Sequence, residues 1–136
     1  MKEVWNTART LVAALGGAIG WFFGETDGFF FALIAFVVLD YITGLMCAIL
    51  NKTLSGEVGF RGICKKLAVF IMVGIAHLLD AEVFGTGSVL RTAILFFYLS
   101  NEGISILENC GRLGLPIPQK LKDVLAQFKT KSEDEK

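Results

Sequence analysis

Apolar and polar positions divide this chain into four long apolar segments and one short amphipathic one. The second segment, residues 29–50, is apolar throughout except for one acid near its middle, Asp40. Its 22 residues, wound as a helix, span about 33 Å, slightly more than the hydrocarbon core of a bilayer. The first segment covers residues 5–24, with a purely apolar part at 11–23. The third covers 63–84, with an apolar centre at 67–79; it carries His77 and ends at Asp80 and Glu82. The fourth, 87–107, is the most polar and carries Arg91, Asn101 and Glu102. Between the second and third, a Gly-rich turn at 51–62 leads into a basic cluster of Arg61, Lys65 and Lys66. Pro116 and Pro118 stop the fourth helix. Beyond them Leu121, Val124, Leu125 and Phe128 recur at i, i+3, i+4, i+7, with Lys120, Lys122, Asp123 and Lys129 between. That pattern predicts an amphipathic helix suited to a membrane surface or a partner. A helix of this length is marginal alone in water, so it is expected to form when docked. Residues 131–136 read as disordered.

The pattern predicts an all-α membrane protein with four transmembrane helices, or three if segment one lies on the surface. It places a membrane domain at 1–115 and a cytosolic amphipathic tail at 116–136. Composition agrees: 54% of residues are apolar, the mean hydropathy is +0.61, and a soluble domain of this size could not bury so much apolar surface. A carboxylate at mid-span costs about 2.5–3.5 kcal/mol on insertion scales. The 13 Leu, Ile, Val and Phe residues around Asp40 each contribute about −0.3 to −0.6 kcal/mol, so insertion wins. Asp40 is tolerated, and its cost calls for a partner.

The net charge is zero, which gives no reason to expect a nucleic-acid partner; what matters is where each sign sits. Glu25 and Asp27 hold the first turn, and Asp80 and Glu82 the third. Lys52, Arg61, Lys65 and Lys66 gather around the middle turn, and Arg112, Lys120, Lys122 and Lys129 follow the last segment. The Lys/Arg bias puts both termini and the middle turn in the cytosol. Lys2 and Arg9 before an apolar run fit a signal peptide, but no small-x-small cleavage site follows, and the run ends in Trp21-Phe22-Phe23. Cys47, Cys64 and Cys110 have neither metal-ligand nor disulfide-framework spacing. On this topology all three are expected to be reduced.

No catalytic, cofactor-binding or metal-binding constellation stands out, so the chain is not expected to be an enzyme. Gly85-Thr86-Gly87 lacks the strand, helix and further glycine of a nucleotide site. The informative features are faces. At 100° per residue, Ser88, Arg91, Tyr98, Glu102, Ser105 and Asn109 fall within about 60° of one direction, with Leu95 the apolar member of the stripe. Phe96 and Phe97 belong to the opposite, lipid-facing side. Asp40, Thr43, Gly44, Cys47 and Asn51 form a comparable face on segment two, and Lys66, His77 and Asp80 share a side of segment three. Either these faces meet inside one bundle, or some of them line water in an oligomer. Asp40 and Arg91 differ in depth by about 9 Å from the helix rise, which makes Arg91 the first candidate partner for Asp40 and His77 the second. Gly16, Gly20 and Gly24 repeat at four-residue spacing and allow close helix packing, within the chain or between copies.

The runs Leu39-Asp40-Tyr41-Ile42-Thr43-Gly44, Leu54-Ser55-Gly56…Gly59-Phe60-Arg61-Gly62 and Lys65-Lys66 resemble the phage-lysis and toxin-secretion holins of the clostridial type. So do Tyr98-Leu99-Ser100-Asn101-Glu102, Ser105-Ile106-Leu107-Glu108-Asn109 and Gly114-Leu115-Pro116-Ile117-Pro118. The ordered set covers about residues 36–128. The family often has two serines where this chain has Ser55-Gly56, and segment one carries no matching motif. The resemblance implies a small protein of the bacterial cytoplasmic membrane that self-associates into a lesion and releases a cell-wall hydrolase or a toxin. It is coupled to that cargo without necessarily binding it. The competing reading is a small multi-pass cation transporter or ion channel using Asp40. A third is a membrane adaptor docking a partner through the tail helix.

Overall fold

A computed structural model describes residues 1–134, with side chains through Gln127, and every element in that range is helical. Helix α1 is Lys2–Phe23, α2 is Gly28–Leu50 and α3 is Gly56–Leu78; α4 is Val89–Arg112 and α5 is Gln119–Asp134. Helix α3 continues into a π-helical stretch, Leu79–Phe84.

Local chemistry sets the boundaries. The Asp27 carboxylate caps α2 by accepting from the Phe30 N–H at 2.9 Å, and the Ser55 hydroxyl caps α3 by accepting from Val58 at 3.1 Å. Each satisfies one of the orphan N–H groups at a helix start. Helix α3 therefore begins seven residues before the expected position 63, and the turn predicted at 51–62 shrinks. The first turns of α3 are held by a surface ion pair, Glu57 to Arg61, at 3.0 Å. Arg61, Lys65 and Lys66 are thus helical residues. Helix α1 stops at Gly24, whose φ of 79° is a conformation that favours glycine. At the other end of the chain, α5 runs to Asp134. The disorder expected at 131–136 is overturned for 131–134, and residues 135 and 136 lie outside the described residues.

Helices α2 and α4 run in the same direction side by side, with α3 antiparallel against both. Phe30, Leu33, Val37, Val69, Val73, Leu95 and Leu99 form the core between them. The most polar of the four long apolar segments is also the most enclosed: from position 90 to position 107 no residue of α4 is exposed. Helix α5 folds back along α4, with Leu125 buried.

The outward faces of α2 and α3 are largely apolar. Phe31, Val38, Ile42, Met46 and Ile49 of α2 and Leu67, Ile71 and Ile75 of α3 all point away from the bundle. Helices α2 and α3 are each long and apolar enough to cross a membrane, yet only 22% and 28% of their apolar windows are buried. The core helix of a soluble domain would be mostly buried, whereas a helix apolar all round and open on one side matches lipid. Among the described residues these two helices are thus candidate membrane spans. Helix α1 leaves the bundle: nothing from Met1 to Ile19 is buried, and only its last turn packs, with Phe22 against Gly74 and Phe23 near Phe70.

Candidate functional site

The motifs noted in the sequence converge on one place. At the middle of α2, the carboxylate of Asp40 accepts from the Lys66 ammonium of α3. It also accepts from the amide of Asn109 on α4, at 3.0 Å. The same ammonium reaches Glu102 on α4 at 2.5 Å. Asp40, Glu102 and Asn109 are all more than nine-tenths buried. Asn109 also donates to the Thr43 hydroxyl at 2.9 Å, and the Cys47 thiol donates to the Asn109 carbonyl at 3.4 Å. Beside them the Tyr41 hydroxyl donates to the Gly59 carbonyl at 3.2 Å. A Cβ at Gly62 would stand 3.1 Å from the Tyr41 ring, so the glycines of the 56–62 stretch let α3 approach α2 here. Asp40, Lys66, Ser105 and Asn109 line a cavity of about 280 Å³ between the helices.

A buried charge is retained when it is paired and its remaining lone pairs are satisfied. That holds here with two carboxylates around one ammonium. No buried side-chain nitrogen or oxygen among the described residues lacks a partner.

A second network closes the opposite end. Arg91 is 3% exposed. Its Nε donates to the Phe23 carbonyl at 2.7 Å, Nη1 to the Asp27 carboxylate at 3.1 Å, and Nη2 to the Glu25 carbonyl. Its guanidinium lies 5.7 Å from the Phe30 ring centroid, within cation–π range. Asp80, fully buried, accepts from the backbone N–H groups of Leu90 and Arg91 at 3.0 and 2.8 Å and from the Thr86 hydroxyl at 2.8 Å. It caps α4 from the preceding element, and one arginine ties the end of α1 to the start of α2.

The expected pairing of Asp40 with Arg91 does not form. Parallel α2 and α4 put Arg91 beside Asp27, 13 residues from Asp40, or about 20 Å of helix, which no arginine spans. His77 is not the partner either; it packs on Gly24, where a Cβ would stand 2.6 Å from Nδ1. Gly24 is thus a helix end pressed against His77 and does not extend the packing face of α1. At Gly16 and Gly20 a Cβ would meet nothing within 4 Å, so packing inside the chain does not use them. The stripe of Arg91, Leu95, Glu102 and Asn109 faces α2 and α3 and is buried. Ser105 lines the central cavity, and Tyr98 packs at the core's edge. Phe96, expected toward lipid, is instead nearly buried, edge-on to Phe29 with centroids 4.9 Å apart.

The sequence places Lys66 on the polar side of segment three but also among the cations of the middle turn, so it did not stand out as the partner of Asp40. Ser55, a helix-capping residue followed by Glu57 in the first turn, was the signal that α3 starts early. Asp80 and Asp27 were read as loop acids, although Asp27 directly precedes the apolar run where an N-cap belongs.

A sequence model of the bacteriophage holin family matches residues 17–130. An uncharacterized protein of Listeria innocua is 44% identical over 124 residues, covering 91% of this chain and 88% of that protein. An uncharacterized protein of Listeria monocytogenes is 45% identical over 125 residues, 91% and 89% of the two chains. An uncharacterized 14.9 kDa protein of the nagH 3′ region of Clostridium perfringens is 40% identical over 131 residues, 96% and 99% of the two. No solved structure matches the chain.

Proposed function

From the premise that this chain belongs to the bacteriophage holin family, we propose that it self-associates in the bacterial cytoplasmic membrane. The assembly opens a lesion that releases a cell-wall hydrolase or a toxin. The observation that carries this reading is the stowing of α4. The polar stripe of α4 is enclosed from position 90 to position 107, while the outward faces of α2 and α3 around it are apolar and open. A protomer of this kind is stable in lipid, yet it holds a polar stripe that a second packing can turn toward water. A switch needs two packings close in free energy, and the central ion pairs are the contacts that must be exchanged between them.

In this reading α2, α3 and α4 cross the membrane, because α4 lies beside α2 at the same depth. Helix α1 crosses beside them, leaving the amino terminus and the middle turn cytosolic, as the Lys/Arg bias indicates. Asp40 already accepts from Lys66 and Asn109. The transporter reading therefore has no free acid at mid-span.

Inducible expression in a bacterium tests the proposal. A holin arrests growth abruptly and lets a cytoplasmic reporter enzyme out. A change in tolerance to one compound without release of protein would replace the proposal with a transporter. Single cysteines after Asp27, Ser55 and Gly85 test the topology. Labelling at Ser55 from outside overturns it, and labelling at Lys2 from outside leaves three crossings.

A further inference from the structure

We infer that the outer face of α5 lines the aqueous side of the assembly at mid-bilayer depth, so that the α4–α5 hairpin forms the wall of the lesion. The inference rests on the holin reading above and adds to it which surface meets water. Helix α2 spans Gly28–Leu50, about 34 Å of helix, and Phe36 lies eight residues from its start, about 12 Å in. A Cβ at Gly103 of α4 would stand 2.9 Å from Leu125 Cδ2 and 3.1 Å from Phe36 Cε2. Leu125 of α5 is 7% exposed and therefore docks at the level of Phe36, inside the hydrocarbon span of α2. Glycine at 103 admits the leucine's methyl groups; a side chain there fits only opposite a smaller residue at 125, as in a pair of cysteines.

Helix α5 is not a lipid helix. Around Leu125, the side chains of Lys120, Lys122, Asp123 and Gln127 are all exposed, and Gln119 donates to Asp123 at 3.0 Å. Beyond the seat of Leu125 the helix continues toward the Arg91 end of the bundle. Hydrocarbon cannot satisfy charges at that depth. A docked α5 is consistent with a spanning α2 only if its outer face meets water or other protein. The choice falls on water because this face is a mixture of both signs and amides. Its apolar members, Leu121 and Val124, are each 46% exposed. The face opposite, on α2 and α3, is continuous apolar surface for lipid. One protomer thus has a lipid side and a wet side. A ring of them with α5 inward encloses water.

The test uses full-length protein in bacterial membranes, with Cys47, Cys64 and Cys110 replaced by alanine and lytic activity checked first. In one arm, Gly103→Cys with Leu125→Cys is treated with a short thiol crosslinker; the bridge reports docking in the membrane. In the other, single variants Asp123→Cys, Gln127→Cys and Ile42→Cys are exposed to a charged, impermeant thiol reagent after triggering. The inference expects the bridge to form, and positions 123 and 127 to react at least tenfold faster than 42. A bridge without reaction at 123 and 127 would mean that protein covers α5, and reaction without a bridge would mean that α5 floats free in the cytosol. Either result overturns the inference, as does equal reaction at 42. Failure of the unmodified protein to lyse cells would instead sink the holin reading.

Discussion

Asp40 and Lys66 each lie twelve residues from the Arg91 end of their helices: Asp40 from Gly28, Lys66 from Leu78. Their side chains therefore meet at one depth, about 18 Å in by the helix rise, where neither charge could remain alone. Lys66 also holds Glu102, so one cation organises three helices, and its removal leaves two carboxylates facing each other.

That arrangement predicts an asymmetry. Lys66→Met should be more damaging than Asp40→Asn, because breaking a buried pair by removing one partner costs about 3–5 kcal/mol. Asp40→Asn keeps Lys66 paired with Glu102 and should cost less. In Lys66→Met, adding Asp40→Asn should recover part of the loss, giving a double variant closer to wild type than the sum of the singles. Thermal unfolding in detergent and the time of lysis onset both measure it. Strictly additive effects would mean that the two side chains do not share a contact in the membrane.

Asp80 should govern the start of α4 independently of the centre. Asp80→Ala leaves the N–H groups of Leu90 and Arg91 and the Thr86 hydroxyl without their buried acceptor. Losses of about 1–3 kcal/mol are expected for unsatisfied buried donors. Amide exchange at positions 90 and 91 should speed up while positions 105–109 keep their protection. Uniform loss of protection along α4 would show that the two networks act as one.

Much of this fold is legible in the residues because lipid demands long apolar runs and caps mark their ends. Helix α2 was expected at 29–50 and is Gly28–Leu50, since Asp27 precedes an unbroken run. The seam of α5 was visible in the spacing of Leu121, Val124 and Leu125, and Leu125 is the residue that docks. Two things were not legible. The glycines of the 56–62 stretch read as a turn, but they are where Tyr41 presses against α3, and a glycine needed for close approach looks the same as one needed for a bend. The partner of Asp40 was misassigned because depth along a helix does not reveal which neighbouring helix runs parallel. Parallel α2 and α4 bring Asn109 to Asp40 and send Arg91 to Asp27.

Gly74 should control whether α1 stays attached. A Cβ at this position would stand 2.0 Å from the Phe22 ring, far inside contact distance, so Gly74→Ala must push the last turn of α1 aside. Phe22→Ala should restore the seat in the double variant while losing the ring's own packing. Crosslinking between cysteines at 23 and 70 reports the attachment. It should fall several-fold in Gly74→Ala and recover in part with Phe22→Ala. Unchanged crosslinking in Gly74→Ala would show that α1 docks elsewhere in the membrane.

Gly20 permits a separate test of what α1 does beyond its last turn. Nothing in the chain lies within 4 Å of a Cβ at Gly16 or Gly20, so substitution there has no packing cost inside the protomer. Glycine in a helix interior is itself unfavourable by about 0.5–1 kcal/mol relative to alanine, so Gly20→Leu should leave stability equal or slightly raised. Any loss of function must then come from outside the protomer. In lipid, helices associate closely where small residues face each other, and the Gly16–Gly20 side is the one part of α1 that is free of bulky side chains. Gly20→Leu is therefore expected to insert normally, to keep the Gly103–Leu125 bridge, and to lower crosslinked oligomers and delay lysis. Gly28→Ala, at another position where a Cβ meets nothing within 4 Å, serves as the control that changes a glycine off this face. Oligomers unchanged in Gly20→Leu would assign self-association to another helix and leave α1 to the lipid.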